Sequence, residues 1–193
     1  MGYHRAGFEV VGVDIKPQPR YPFEFHQADA MTCPLKGFKA IHASPPCQRY
    51  SQATPPQFRA NHPDLIAAVR ERLLGFGAPF AIENVSGARW LLRNPVMLCG
   101  TMFGLPIERH RYFEIHPNEL AMLPPCAHGK LPVVVTGTTR RKTGRFEYPA
   151  AACRAAMQTD WMTRAEMDEA IPPAYTEWIG QRLLEVIGQS RAA

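Results

Sequence analysis

Hydrophobic residues are spaced in two ways along this chain. FEVVGVDI, 8–15, is a continuous apolar and β-branched run closed by an acid. A run of that length predicts a strand buried on both faces of a parallel sheet. FHQADA, 25–30, GFKAIHAS, 37–44, and PFAIENV, 79–85, are three further short strands, and RYFEIH, 111–116, is a fifth. LPVVVTG, 131–137, is a sixth, outside the main sheet. Between them, HPDLIAAVRERLLGFG, 62–77, has apolar residues at helical spacing, with Asn61 as its N-cap and Gly75 and Gly77 as its stop. PPAYTEWIGQRLLEVIG, 172–188, is a closing helix with prolines in its first turn.

Short strands alternating with helical segments predict an α/β fold with a largely parallel sheet. Ligands of such sheets collect at the carboxyl ends of the strands. Asp14, Asp29, Cys47 and Glu83 all lie at or near such ends. The strand-end aspartates have two readings, as caps of the following turn or as ligand contacts.

Composition narrows the class. At 193 residues, the chain suits one domain, or one domain with a small appendage. No apolar run approaches the ~20 residues of a membrane span, and no signal-peptide core follows Met1. A cytoplasmic monomer is expected. The five cysteines, at 33, 47, 99, 126 and 153, are scattered and form no C-x-x-C pair. His62, Cys99 and Cys126 show no zinc-ligand spacing, so no metal is assigned. The net charge is +5, which permits a polyanionic partner. GTTRRKTGR, 137–145, holds Arg140, Arg141, Lys142 and Arg145 between glycines. It reads either as a solvated loop or as a phosphate-contacting one.

The chemistry gathers in three stretches. In HASPPCQRYSQ, 42–52, Pro45 and Pro46 fix two φ angles and donate no N–H, so Cys47 is aimed. A positioned thiol is either an inert small side chain or a nucleophile. Gln48 and Ser51 can orient its loop. AIENV, 81–85, puts Glu83 and Asn84 after an apolar run, where a desolvated carboxyl has a raised pKa and suits proton sharing. GLPIERHRYFEI, 104–115, places Arg109 and Arg111 two apart at the start of a strand, on one face.

These stretches together resemble the DNA cytosine-5 methyltransferases, especially compact actinobacterial or phage members. SPPCQRYSQ resembles the family's PCQ nucleophile loop and ENV its glutamate motif. Arg109 and Arg111 match Q-x-R-x-R, with Ile107 in place of Gln. DEAIPPAYTEWIGQRLL resembles the closing G-N-x-V-P-P motif and its helix, with Asp168 and Glu169 in place of Gly-Asn. GYHRAGFEVVGVDI resembles the segment from the cofactor helix into the second strand. The resemblance implies a Rossmann-like fold and methyl transfer from S-adenosylmethionine to C5 of a flipped cytosine in duplex DNA, in a bacterial or phage-infected cell, as in DNA modification alongside restriction. It implies Cys47 as nucleophile at C6, Glu83 at N3 and the amine, Arg111 at O2, Arg109 as support for the thiolate loop or Glu83, and Asn84 as holder of that loop. Asp14 would take the ribose hydroxyls and Asp29 the adenine amine. Ile15 and Ala30 would pack on adenine, and Pro46 would line the methionine side. Gln48, Ser51 and the four cations of 137–145 would meet DNA.

The family's opening strand and glycine loop, roughly D-L-F-x-G-x-G-G, has no counterpart here, which implies either a start placed too late or a natural truncation, and cofactor binding by these 193 residues that is weak or absent. The expected organisation is a core over 1–116, a short target-recognition region over 117–165 and a returning motif and helix over 166–193. Two other readings stay open: a DNA-binding remnant without chemistry, and an enzyme adding one-carbon units to free pyrimidine nucleotides.

Overall fold

The computed structural model describes residues 1–192 except 119–122, 130–131, 136–138, 142–143 and 147; the side chains of 139–141, 144–146 and 190–192 are likewise outside the description. The chain is mixed α/β. After helix α1 (Gly2–Ala6) come β1 (Val11–Asp14), β2 (Glu24–Gln27) and β3 (Ile41–Ala43). Helix α2 (Ile66–Phe76) leads into β4 (Phe80–Asn84), then β5 (Val96–Leu98) and β6 (Arg111–His116). A hairpin, β7 (Thr139–Arg141) and β8 (Gly144–Phe146), precedes α3 (Ala150–Met157), α4 (Arg164–Glu169) and α5 (Pro173–Ala192).

The expected parallel sheet is found in two pieces. β1 and β2 pair in parallel as one two-stranded sheet, Val11 opposite Glu24 and Asp14 opposite Gln27. A four-stranded sheet has the order β3-β4-β6-β5. There β3 and β4 are parallel, but β6 runs antiparallel to both β4 and β5, so the sheet is mixed. β1 and β3 are each edge strands of their own sheet.

All five residues of β4 are buried, as expected for a strand covered on both faces. Alternation divides them. Phe80 and Ile82 pack with Ile66 and Leu73 of α2. Ala81 packs with Tyr175, Ile179 and Leu183 of α5. Helices therefore cover the two faces of the strand that carries Glu83. α1 lies along α5, and a Cβ at Gly2 would stand 2.0 Å from the Pro173 carbonyl oxygen, so only glycine permits that approach. A third cluster joins Leu105, Ile107, Val135, Cys153, Met157 and Met167.

Three expectations need correction. Asn61 does not cap α2; it ends a 3-10 turn over Pro56–Asn61, and the helix begins at Ile66 behind Leu65. The sixth strand over 131–137 is not formed within the described 132–135, where Val133 N–H donates to Pro106 O at 2.7 Å and Val135 enters the third cluster. The boundary placed between 165 and 166 cuts α4, whose Met167 shares that cluster with Cys153 of α3. Among the described residues, no helix is long and apolar enough to cross a membrane.

Candidate active site

Strand directions bring the chemistry together. β3 and β4 are parallel with Ala43 beside Ile82, so the loop after β3 and the end of β4 emerge side by side. β6 is antiparallel to β4, with Asn84 opposite Tyr112, so the start of β6 lies at the end of β4. The Cys47 loop, Glu83–Asn84 and Arg109–Arg111 thus meet at one rim, although 64 positions separate Cys47 from Arg111 in the sequence.

Glu83 is 8% exposed. Arg111 Nε reaches its Oε1 at 3.0 Å, and both side chains are largely shielded. Burial raises the Glu83 pKa; Arg111, then the Ser44 hydroxyl and Arg109, act against that shift. The Cys47 thiol is half-buried. Burial raises its pKa first and the Glu83 charge second, while Arg111 opposes both. The thiol therefore senses the same two groups that sense each other.

The loop carrying Cys47 is held from both sides. Cys47 O accepts from the N–H of Tyr50 and of Ser51, each at 2.9 Å. Asn84, fully buried, donates from Nδ2 to Pro45 O at 3.0 Å and accepts from Val85 N–H at 3.0 Å. The resemblance assigns Asn84 this loop-holding part, and the contact is of that kind. A Cβ on Gly87 would lie 2.1 Å from Tyr50 O, so the segment after β4 touches the loop through bare backbone. Gly87 belongs to the site although sequence reasoning passes over it.

Arg109 acts on Glu83 through its charge, while its hydrogen bonds go elsewhere. It is buried, and its guanidinium donates to Ala170 O at 2.9 Å and Asp168 O at 2.6 Å. Tyr175 O–H donates to Arg109 O at 2.6 Å. Its hydrogen bonds hold the segment before α5, rather than the thiolate loop or Glu83. Burial, with Arg111 next, lowers its pKa to about 10. Ile107, at the place of the family's Gln, is core: it is 1% exposed.

His42 and Ser44, inside the stretch that carries Cys47, form a second line of contacts. Burial lowers His42 to about 4, so its ring is neutral at pH 7. Tyr3 O–H lies 2.6 Å from His42 Nδ1, and His42 Nε2 lies 3.0 Å from Ser44 Oγ. A neutral ring accepts at one nitrogen and donates at the other. Burial keeps Tyr3 protonated, so the Tyr3 hydroxyl donates to Nδ1 and Nε2–H donates to Ser44.

Of the residues expected at a cofactor, Asp14 and Ile15 lie at the end of β1, Asp29 and Ala30 follow β2, and Pro46 follows β3. Asp14 Oδ1 accepts from Lys16 N–H and Asp29 Oδ1 from Met31 N–H, each at 2.8 Å. Both carboxylates therefore cap their own turns, and Gln18 reaches the second Asp14 oxygen at 3.3 Å. Ile15 is 69% exposed beside Asp14, while Ala30 and Pro46 are also exposed. An exposed apolar side chain next to a strand-end acid suits a flat adenosine.

Gln48 is exposed, and Ser51 Oγ accepts from Ala53 N–H at 3.1 Å. The basic stretch includes the β7–β8 hairpin, with Arg140 opposite Arg145. Lys142 and the side chains of Arg140, Arg141 and Arg145 lie outside the described residues.

Away from this rim, Cys99, His110, Cys126 and His128 converge, their ligand atoms all within 4.8 Å of one another. Sequence spacing gives no sign of the group, because it is assembled from β5's end, β6's approach and the segment after β6.

No family model matches the sequence, and no curated protein matches it significantly.

Proposed function

We propose that this chain carries the catalytic centre of a DNA cytosine-5 methyltransferase. The observation that supports the reading is the convergence of Cys47, Glu83 and Arg111 from three separate segments at one strand rim. A thiol, a desolvated carboxyl and a guanidinium are the groups needed to activate a pyrimidine at C6.

C5 of cytosine is a weak nucleophile. The Cys47 thiol releases its proton to solvent, and the thiolate adds to C6, forming a carbon–sulfur bond and breaking the C5–C6 double bond. Electron density moves toward C5, and N3 takes a proton from Glu83. Arg111, oriented by Glu83, faces O2 where negative charge builds, an oxyanion-type role. Asn84 holds the Pro45 carbonyl, which fixes the loop carrying the thiol. Arg109 is a positioning residue that anchors 168–170. Because the target carbon lies inside the duplex stack, the base must flip out, at ~2–4 kcal/mol.

The bound cofactor, S-adenosylmethionine, would supply an electrophilic methyl group. Asp14 would hold its ribose and Asp29 its adenine amine, with Ile15 and Ala30 against the ring and Pro46 near the methionine end. The exposed Ile15 fits that use. Duplex DNA is the proposed partner, and the hairpin over 139–146 its proposed contact.

The test is transfer of labelled methyl from S-adenosylmethionine to mixed-sequence duplex DNA, with deoxycytidine nucleotides as the competing acceptor. Label on the duplex is expected at saturating S-adenosylmethionine, which offsets weak binding, and it is lost in Cys47→Ser and reduced ~10²–10³-fold in Arg111→Ala. Label on the free nucleotide alone would replace the DNA reading with the nucleotide one.

A further inference from the structure

We propose that Cys99, His110, Cys126 and His128 bind one zinc ion. Their four ligand atoms lie within 4.8 Å of one another. His110 Nε2 and His128 Nε2 are 3.0 Å apart, and Cys99 Sγ is 3.6 Å from the same His128 Nε2. Tetrahedral zinc with ordinary bond lengths puts two imidazole nitrogens ~3.3 Å apart and a nitrogen and a thiolate sulfur ~3.6 Å apart. The observed spacings are close to these values.

Hydrogen bonding alone accounts for the group less well. A neutral His128 Nε2 has either one proton or one lone pair, yet it faces both a second imidazole nitrogen and a thiol sulfur. One cation at the common centre satisfies all three atoms, and Cys126 completes the set. Two sulfurs and two nitrogens in a tetrahedron favour zinc among divalent metals.

The surroundings are those of a supported site. Glu108 Oε2 lies 3.6 Å from His128 Nδ1, the ring nitrogen that faces away from the cluster. At that distance the carboxylate orients the ring through its charge rather than through a direct hydrogen bond. Thr101 Oγ1 lies 3.2 Å from Cys99 Sγ and accepts from Ala127 N–H, also at 3.2 Å. The same hydroxyl therefore ties the Cys99 turn to the segment between Cys126 and His128. Four protein ligands leave no open position, so the ion is structural rather than catalytic. It would clamp the segment after β6 to His110, the residue between Arg109 and Arg111. The clamp would hold the approach to the rim, and it does not depend on methyl transfer being the reaction.

The experiment uses the full 193-residue chain purified without chelators. Elemental analysis should find one zinc per chain. After exchange with cobalt(II), the spectrum should show thiolate charge transfer and the intense visible bands of tetrahedral cobalt. Cys126→Ser and His128→Gln change partly exposed or exposed positions, so the fold should survive, verified by circular dichroism, while the metal is lost. Glu108→Gln should keep the metal but weaken it ~10–100-fold. Cys33→Ser, outside the cluster, should leave it unchanged. A folded wild-type chain without zinc and with only six-coordinate cobalt bands would overturn the proposal. So would full metal retention in Cys126→Ser and His128→Gln.

Discussion

Glu83 and Arg111 pull the Cys47 thiol in opposite directions, with burial adding to the upward side. The resting thiol is therefore mostly protonated at neutral pH and becomes nucleophilic when base binding changes that balance. Glu83→Gln removes one of the groups that raise the thiol and leaves burial, with a smaller effect of the Glu169 charge, against Arg111. Alkylation of Cys47 by iodoacetamide at pH 7, followed by peptide mass spectrometry, should be faster in the variant. Each unit of pKa lowering gives about a threefold gain, since lower nucleophilicity offsets part of the larger thiolate fraction. A rate that falls or stays the same would show that the thiol does not sense Glu83. Cys47, Glu83, Asn84 and Arg111 were legible in the sequence because each follows or begins an apolar run at a strand end. Arg109's partners were not, because Asp168 and Ala170 receive its bonds through backbone carbonyls that no side-chain pattern marks. Of the zinc ligands only Cys126 and His128 are close in sequence; Cys99 and His110 join them through tertiary folding.

Among the elements, α4 shows how one short helix is fixed. Thr163 Oγ1 accepts from Glu166 N–H, and Glu166 Oε2 accepts from Thr163 N–H at 2.6 Å, a reciprocal capping box. Arg20 Nε lies 3.0 Å from both Glu166 oxygens, which ties the loop after β1 to this cap. Thr163→Ala should lower stability in urea unfolding by about 1 kcal/mol. The Arg20 hydrogen bond lowers Glu166 from 4.5 to about 2. Because the folded pKa is the lower one, the stabilisation is full above 4.5 and disappears as pH falls toward 2. The stability gap between wild type and Glu166→Gln should therefore be flat near neutrality and close on acidification. A gap that widens in acid would contradict the assigned pairing. β6 has the bounds its sequence predicts, since RYFEIH carries Tyr112, Phe113 and Ile115 without a Gly or Pro break. The helical pattern over 62–77 overruns the start of α2, because Pro63 holds the preceding His62 extended, at φ −100° and ψ 145°. AAACRAAM, 150–157, is an alanine-rich helix former that the reading of 117–165 as one recognition region passes over.

At the scale of the whole molecule, α/β alternation was legible but the sheet's division was not: apolar runs give strands without giving partners or directions, and β6 turns out antiparallel to β4. The net charge of +5 has its densest cluster in 137–145. Changing Arg140, Arg141, Lys142 and Arg145 to Ala should flatten the slope of log affinity against log salt for duplex DNA by up to ~3.6. Fluorescence anisotropy across a salt series measures it, and an unchanged slope would leave the hairpin as a solvated turn. The central claim, that Cys47 adds to C6 of a cytosine in duplex DNA, has a test that needs no cofactor. Addition gives C5 carbanion character; C5 takes a proton from water, loses its original hydrogen as a proton, and the thiolate leaves, restoring the ring. Duplex DNA tritiated at cytosine C5 should therefore release tritium to water with the wild-type chain, much more slowly with Glu83→Gln, and not with Cys47→Ser. Release by Cys47→Ser at the wild-type rate, or none from a wild-type chain that binds the duplex, would contradict the account.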